Sequence, residues 1–121
     1  MSWAIEVTDQ WEKDQRWYEK KRPDELAAVM NNLQKYVNYL NKMPNSRSVH
    51  AGFMHHEPMG IVALDQRGSR GSLQETRLYT YADDEKKVLH IITIGNKADQ
   101  ARDIDLAKDF VASLRKPKPA P

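Results

Sequence analysis

The 121-residue sequence contains no cysteine. Disulfides, thiolate nucleophiles and cysteine zinc sites are therefore excluded, and the redox compartment cannot be read from cysteine usage. No apolar run approaches the roughly 20 residues needed to span a bilayer. The start, Met1-Ser2-Trp3-Ala4-Ile5-Glu6, has no basic region followed by an apolar one, so a cytoplasmic protein is the expectation. Glycine is scarce, at five residues, and none builds a phosphate-cradling loop or a Gly-x-Ser-x-Gly nucleophile elbow. Paired catalytic carboxylates and internal repeats are also missing. A strong excess of one charge is absent too: 19 Lys and Arg against 17 Asp and Glu leave +2, a weak pull toward an anionic partner.

What is present describes a polar-surfaced globular chain, with 30% charged residues and a mean hydropathy of −0.79. Its length fits one domain with one core. Trp3, Ile5 and Val7 alternate with Ala4 and Glu6 as in a short strand. Asp9 followed by Glu12 has the form of a capping box, so a helix is expected to begin there. Trp11 and Tyr18 fall two turns apart on it, with Trp17 beside them, which suits packing onto a following helix. Pro23 belongs in the first turn of a new helix, not inside an old one. Leu26, Val29, Met30, Leu33, Tyr36, Val37, Leu40 and Met43 then hold helical spacing, and the two helices should form an antiparallel hairpin.

Pro44 to Ser48 ends that hairpin by turn chemistry. Val49 to Pro58 has no period and reads as an ordered loop. Gly60 to Gln66 reads as a second strand, Arg67 to Ser72 as a flexible basic connection, Leu73 to Ala82 as a half-exposed strand, and Ala82 to Lys87 as a charged turn. Val88 to Ile94 is almost continuously apolar and β-branched, the pattern of a strand covered on both faces. Gly95 should break it, and a Gly-Asn-Lys turn should lead to a helix whose Ile104, Ala107, Phe110, Val111 and Leu114 lay one stripe on the sheet. Lys116 to Pro121 alternates with proline and should be a disordered tail. The expected fold class is α+β: an N-terminal strand, an antiparallel helix hairpin, a three-stranded antiparallel meander and a C-terminal helix, forming one domain over residues 1–115 with the tail at 116–121.

Arg77-Leu78-Tyr79, the acidic turn, the strand ending Ile92-Thr93-Ile94-Gly95 and the cation Lys97 resemble the C-terminal half of the RelE/ParE superfamily of toxin-antitoxin toxins. In those proteins a strand written "YRLVY" precedes an apolar strand that ends in glycine and a basic residue, followed by a last helix. The likeness is close over the last third of the chain. Elsewhere it rests on the order of elements.

The resemblance implies a RelE-like toxin: a ribosome-dependent mRNA endonuclease that uses no metal or other cofactor and employs the ribose 2′-hydroxyl as nucleophile. Its partners would be a cognate antitoxin and mRNA on the ribosome, with DNA reached only through the antitoxin complex and no membrane involved. Such cleavage requires a base for the hydroxyl, cations for the phosphate and an acid for the leaving oxygen. Arg77 falls on the family's strand arginine, and guanidinium suits phosphate because it donates two parallel hydrogen bonds. Lys97 falls on the basic residue after the glycine. Arg67 offers a further cation, as does Arg102 for RNA binding. Tyr79 and Tyr81 share a strand face with Arg77, one able to donate a proton and both able to stack on a base.

The bland alternatives are specific. Glu75 is a ready ion-pair partner for Arg77, Lys97 reads equally as a surface residue, and the two tyrosines as sheet packing. The family's nucleases commonly carry a Tyr or His inside the last helix as acid or base. Here that helix begins Asp99-Gln100-Ala101-Arg102-Asp103, leaving Asp99 or Asp103 as candidate bases. His90, on the apolar strand, reads as a hydrogen-bonded core residue. His50, His55, His56 and Glu57 have no recognised metal-ligand spacing, and adjacent His55 and His56 diverge on a strand, so structural or solvent roles are expected. A toxin of the same fold that poisons DNA gyrase and a non-catalytic interaction module remain the alternatives to the nuclease.

Overall fold

A computed structural model describes residues 2–66 and 73–115. The basic connection at 67–72, with candidate Arg67, and the tail at 116–121 lie outside the described residues. The elements run β1 (Ala4–Val7), α1 (Asp9–Lys21), α2 (Pro23–Lys42), β2 (Met54–His56), β3 (Ile61–Gln66), β4 (Thr76–Asp83), β5 (Val88–Asn96) and α3 (Gln100–Arg115), with short 3₁₀ turns at Ser46–Ser48, Pro58–Gly60 and Lys97–Asp99. The five strands form one sheet in the order β1-β5-β4-β3-β2. β1 is parallel to β5 and the other pairs are antiparallel. This α+β architecture has the expected helix pair and closing helix, but its meander has four strands, not three. The additional strand, β2, lies in the segment that reads as a loop. Three residues with only Met54 buried are too short to show a period, and their pairing to β3 is set by the turn between them.

The helix starts follow from local chemistry. Thr8, not Asp9, caps α1: its hydroxyl accepts from the Trp11 amide at 3.0 Å and donates to the Ile92 carbonyl at 2.5 Å. One side chain thus ends the strand, starts the helix and ties both to β5. Pro23 is in the first turn of α2, where its missing N–H costs nothing. Leu26, Val29, Leu33, Tyr36 and Leu40 are buried on α2's inner stripe, whereas Met43 is exposed at its end. Trp11 and Tyr18 are buried on α1, but Trp17 points outward, 51% exposed.

Helices α1 and α2 cover one face of the sheet and α3 the other. On β5, Leu89, Ile91, Ile92 and Ile94 are buried, as a doubly covered strand requires, and Val88 at its start is half-buried. A bulge divides these residues between the layers. Tyr79 pairs with Thr93 but Thr80 with Ile91, leaving Ile92 as the extra residue. Ile91 and Ile94 accordingly join the α1/α2 layer, and Ile92 packs under Ala107 and Val111 of α3. β4 is more buried than a half-exposed strand, with Thr76, Leu78, Tyr79 and Thr80 all inside, because both faces are covered: Leu78 lies in the α1/α2 layer and Tyr79 under α3. Leu114, expected on α3's inner stripe, is exposed at its last turn. No described helix is long and apolar enough to cross a membrane.

Candidate functional site

Strand β4 sends Arg77, Tyr79 and Tyr81 to the α3 side of the sheet, but to different surroundings. Arg77 is half-buried and faces two carboxylates, Glu75 Oε1 at 3.3 Å and Glu57 Oε1 at 3.9 Å. In register it lies between Asp65 on β3 and Gly95 on β5. Tyr79 is only 1% exposed, so no base can stack on its ring. Burial pushes its hydroxyl up to about 12, the Asp103 carboxylate adding to the effect and the Arg77 guanidinium opposing it; a phenol so placed is a poor proton source at neutral pH. Tyr81 lies four residues further along, about 13 Å by strand rise. There its ring stacks on His90 at 6.2 Å and on the Arg115 guanidinium at 5.8 Å. It packs the far end of α3 and does not share a site with Arg77.

The other candidates cluster where β5 runs into α3. Lys97 is exposed in the 3₁₀ turn. Asp99 closes that turn, its amide donating to Asn96 Oδ1 at 3.2 Å. Arg102 is directed at two neighbouring carboxylates, Asp103 of α3 at 3.3 Å and Asp99 of the turn at 3.9 Å. Asp103 is fully buried, seated against Gly95, where a Cβ would overlap its carboxylate. Gly95 therefore does not break β5, which runs on through Asn96. It is glycine so that the first turns of α3 can approach the strand.

Burial pushes the Asp103 carboxyl up to about 6, with Arg102 pulling it down and Asp99 and Asp14 raising it further. Asp14, from α1, accepts from the Thr93 hydroxyl at 2.6 Å. Neighbouring Tyr18 is pushed up to about 12 by burial, then by Asp99, Asp103 and Asp14. This closed group joins α1, β5 and α3. It leaves Asp103 no route to a substrate.

Toward the other edge of the sheet the same face carries a group that the sequence did not single out. His55 on β2 lies across from Ala63, and Ala63 across from Tyr79. The His55 Nε2 meets Asp65 Oδ2 at 3.3 Å, with the imidazole one-third exposed and the carboxylate buried. Alternation sends adjacent His56 to the opposite face, where its ring meets that of His50 at 6.0 Å. Once β2 is known to be a strand, a histidine diagonal to an aspartate of the paired strand is a legible signal. Without β2 it is not. His90 is buried as expected, but its Nδ1 stands 3.7 Å from Glu6 Oε2, beyond hydrogen-bond distance.

No family model matches the sequence, and no curated protein matches it. Solved structures do match. The E. coli toxin RelE, an arginine double mutant in the free state, aligns with a TM-score of 0.53 over 91% of this chain and 98% of its own, at 17% identity. A histidine-to-glutamine mutant of YafQ from E. coli aligns with a TM-score of 0.50 over 82% of this chain and 98% of its own, at 23% identity. At these identities the likeness is one of fold, and this chain has the fold of the RelE-like toxins.

Proposed function

We propose that this chain is the toxin of a toxin-antitoxin pair and that it cleaves translated mRNA through the ribose 2′-hydroxyl. The observation that supports the reading best is the placement of Arg77: on a RelE-like fold, it stands on the α3 side of β4, in register with Asp65 and Gly95, and its guanidinium keeps a small exposed edge, 15% of the side chain. Its guanidinium would bind the scissile phosphate and stabilise the charge that grows on it. Glu75 and Glu57 compete for that guanidinium. These pairs, at 3.3 and 3.9 Å and 15–25% exposed, would have to open for a phosphate, which offers the guanidinium two parallel acceptors in their place. Lys97, exposed beyond the end of β5, would add an electrostatic contact to the RNA backbone. The cognate antitoxin would be an acidic segment that orders over Arg77 and Lys97, and the site of action would be the cytoplasmic ribosome.

The carboxylates around Arg77 favour one second reading, a toxin of the same fold that blocks DNA gyrase and cuts no RNA. Primer extension on ribosome-bound mRNA, run beside a gyrase supercoiling assay, separates the two. The nuclease reading expects new 5′ ends in translated mRNA and unaffected supercoiling. Intact mRNA with blocked supercoiling replaces it with the second, and no effect in either assay removes both.

A further inference from the structure

Cleavage through a 2′-hydroxyl needs a group that takes its proton, and the sequence-named residues do not supply one. Tyr79 and Asp103 are inside the core, 1% and 0% exposed. Asp99 keeps an accessible carboxylate, 39% exposed and 3.9 Å from Arg102, but a carboxylate is a weaker proton acceptor at neutral pH than an imidazole. His90 is buried beside Phe110 and Tyr81 at the far end of α3, and His56 is on the opposite face.

We propose that His55 is the general base of the reaction and that Asp65 is its positioning residue. The inference rests on the nuclease reading above and names the residue that carries its proton step. Three observations support it. His55 shares the α3 side of the sheet with Arg77. Strand spacing of about 4.8 Å and a rise of about 3.3 Å per residue place their Cα atoms roughly 12 Å apart. Arg77 also reaches toward the β2 side, since it meets Glu57, two residues beyond His55. A phosphodiester between the two side chains can be met from both sides.

The second observation is the pair itself. A carboxylate can only accept, so in the neutral ring the 3.3 Å contact puts the proton on His55 Nε2 and leaves Nδ1 with its lone pair. That is the tautomer a base requires. A buried carboxylate behind it stabilises the imidazolium that forms and holds the ring in place. Third, the ring is one-third exposed, unlike the carboxyl and phenol groups that the core encloses.

In the step, Nδ1 of His55 takes the 2′-hydroxyl proton, O2′ bonds to phosphorus, and the bond from phosphorus to O5′ breaks. The leaving oxygen takes a proton from water. The products are a 2′,3′-cyclic phosphate and a 5′-hydroxyl, and the imidazolium returns its proton to solvent.

The test is cleavage of ribosome-bound mRNA by the full chain, comparing wild type with His55→Ala, His55→Gln and Asp65→Asn. Both His55 variants should lose about 10²- to 10⁴-fold in kcat, the range for a positioned acid or base, with KM little changed. Added imidazole should partly restore His55→Ala, which a merely structural role would not allow. His55→Gln keeps a donor for Asp65 and so stands in if the alanine variant does not fold. Asp65→Asn should give a smaller loss, again in kcat. Wild-type cleavage with His55→Gln equally fast, or an alanine variant that is slow but indifferent to imidazole, overturns the assignment and leaves the nuclease reading standing. A folded wild type that cuts nothing removes the nuclease reading and this inference with it.

Discussion

The two faces of the sheet are built on different terms. The α1/α2 face is a continuous apolar layer in which Leu33, Tyr36, Leu40, Leu78, Leu89 and Ile94 interlock. The α3 face has a small apolar centre, Tyr79, Ile92, Ala107 and Val111. Around it are charged groups: Asp103 and Arg102 at one end, His55, Asp65, Glu57 and Arg77 toward the β2 edge. The larger layer supplies most of the hydrophobic free energy, which frees the smaller one to carry polar groups that a core of minimal size could not accommodate. Stability and chemistry are thus divided between the faces of one sheet.

The strongest way to break this division is to remove a buried side chain from each layer. Leu89→Ala, wholly inside the α1/α2 layer, should cost about 2–5 kcal/mol in chemical denaturation. Ile92→Ala should fall in the same range, since the bulge places it fully inside the α3 layer. An Ile92 variant as stable as wild type would show that α3 does not pack as described.

The junction between the faces gives the next largest effect. Gly95→Ala forces a methyl group onto the Asp103 carboxylate and should cost about 1–3 kcal/mol as an overpacking change. Unchanged unfolding would mean that α3 does not approach β5 there. The same carboxyl sharpens the comparison by pH. Its value in the folded chain, about 6 against an ordinary 3.8, means the folded state holds the proton more tightly. Its contribution is therefore complete below about pH 3.8 and is lost as pH rises through 6. The swing is on the order of 3 kcal/mol. Asp103→Asn, fixed in the neutral form, should reduce the decline in unfolding free energy between pH 5 and pH 7. A wild type and variant with parallel pH profiles would contradict the burial of an ionisable Asp103.

The smallest effect is expected at Trp17. It is the aromatic of α1 that faces outward, and Trp17→Ala should change stability by no more than about 0.5 kcal/mol. A loss of several kcal/mol would place it in the helix interface.

These contrasts also explain what the sequence could reveal. α2 and β5 were legible because each carries a long apolar pattern, of period near 3.6 in one and unbroken in the other, that a single strong layer imposes. The RelE-like order of elements followed from them. β2 was not legible, since three residues with one buried side chain have no period, and the His55–Asp65 pair was lost with it. Thr8 was overlooked in favour of Asp9 because both are good caps. What distinguishes them is the Ile92 carbonyl, 84 residues away. Tyr79 reads as exposed because alternation with polar neighbours is indistinguishable from a face covered by a helix that itself carries Asp103 and Arg102.

The central claim is that Arg77, on the α3 side of β4, meets a scissile phosphate. The most direct test is the rate of cleavage of ribosome-bound mRNA by wild type, Arg77→Ala and Arg77→Lys, each checked for unchanged thermal unfolding. Loss of one preorganised donor predicts a fall of about 10²- to 10³-fold for alanine, with lysine recovering only part because it lacks the two-pronged geometry. Cleavage at the wild-type rate by a folded Arg77→Ala protein would contradict the account.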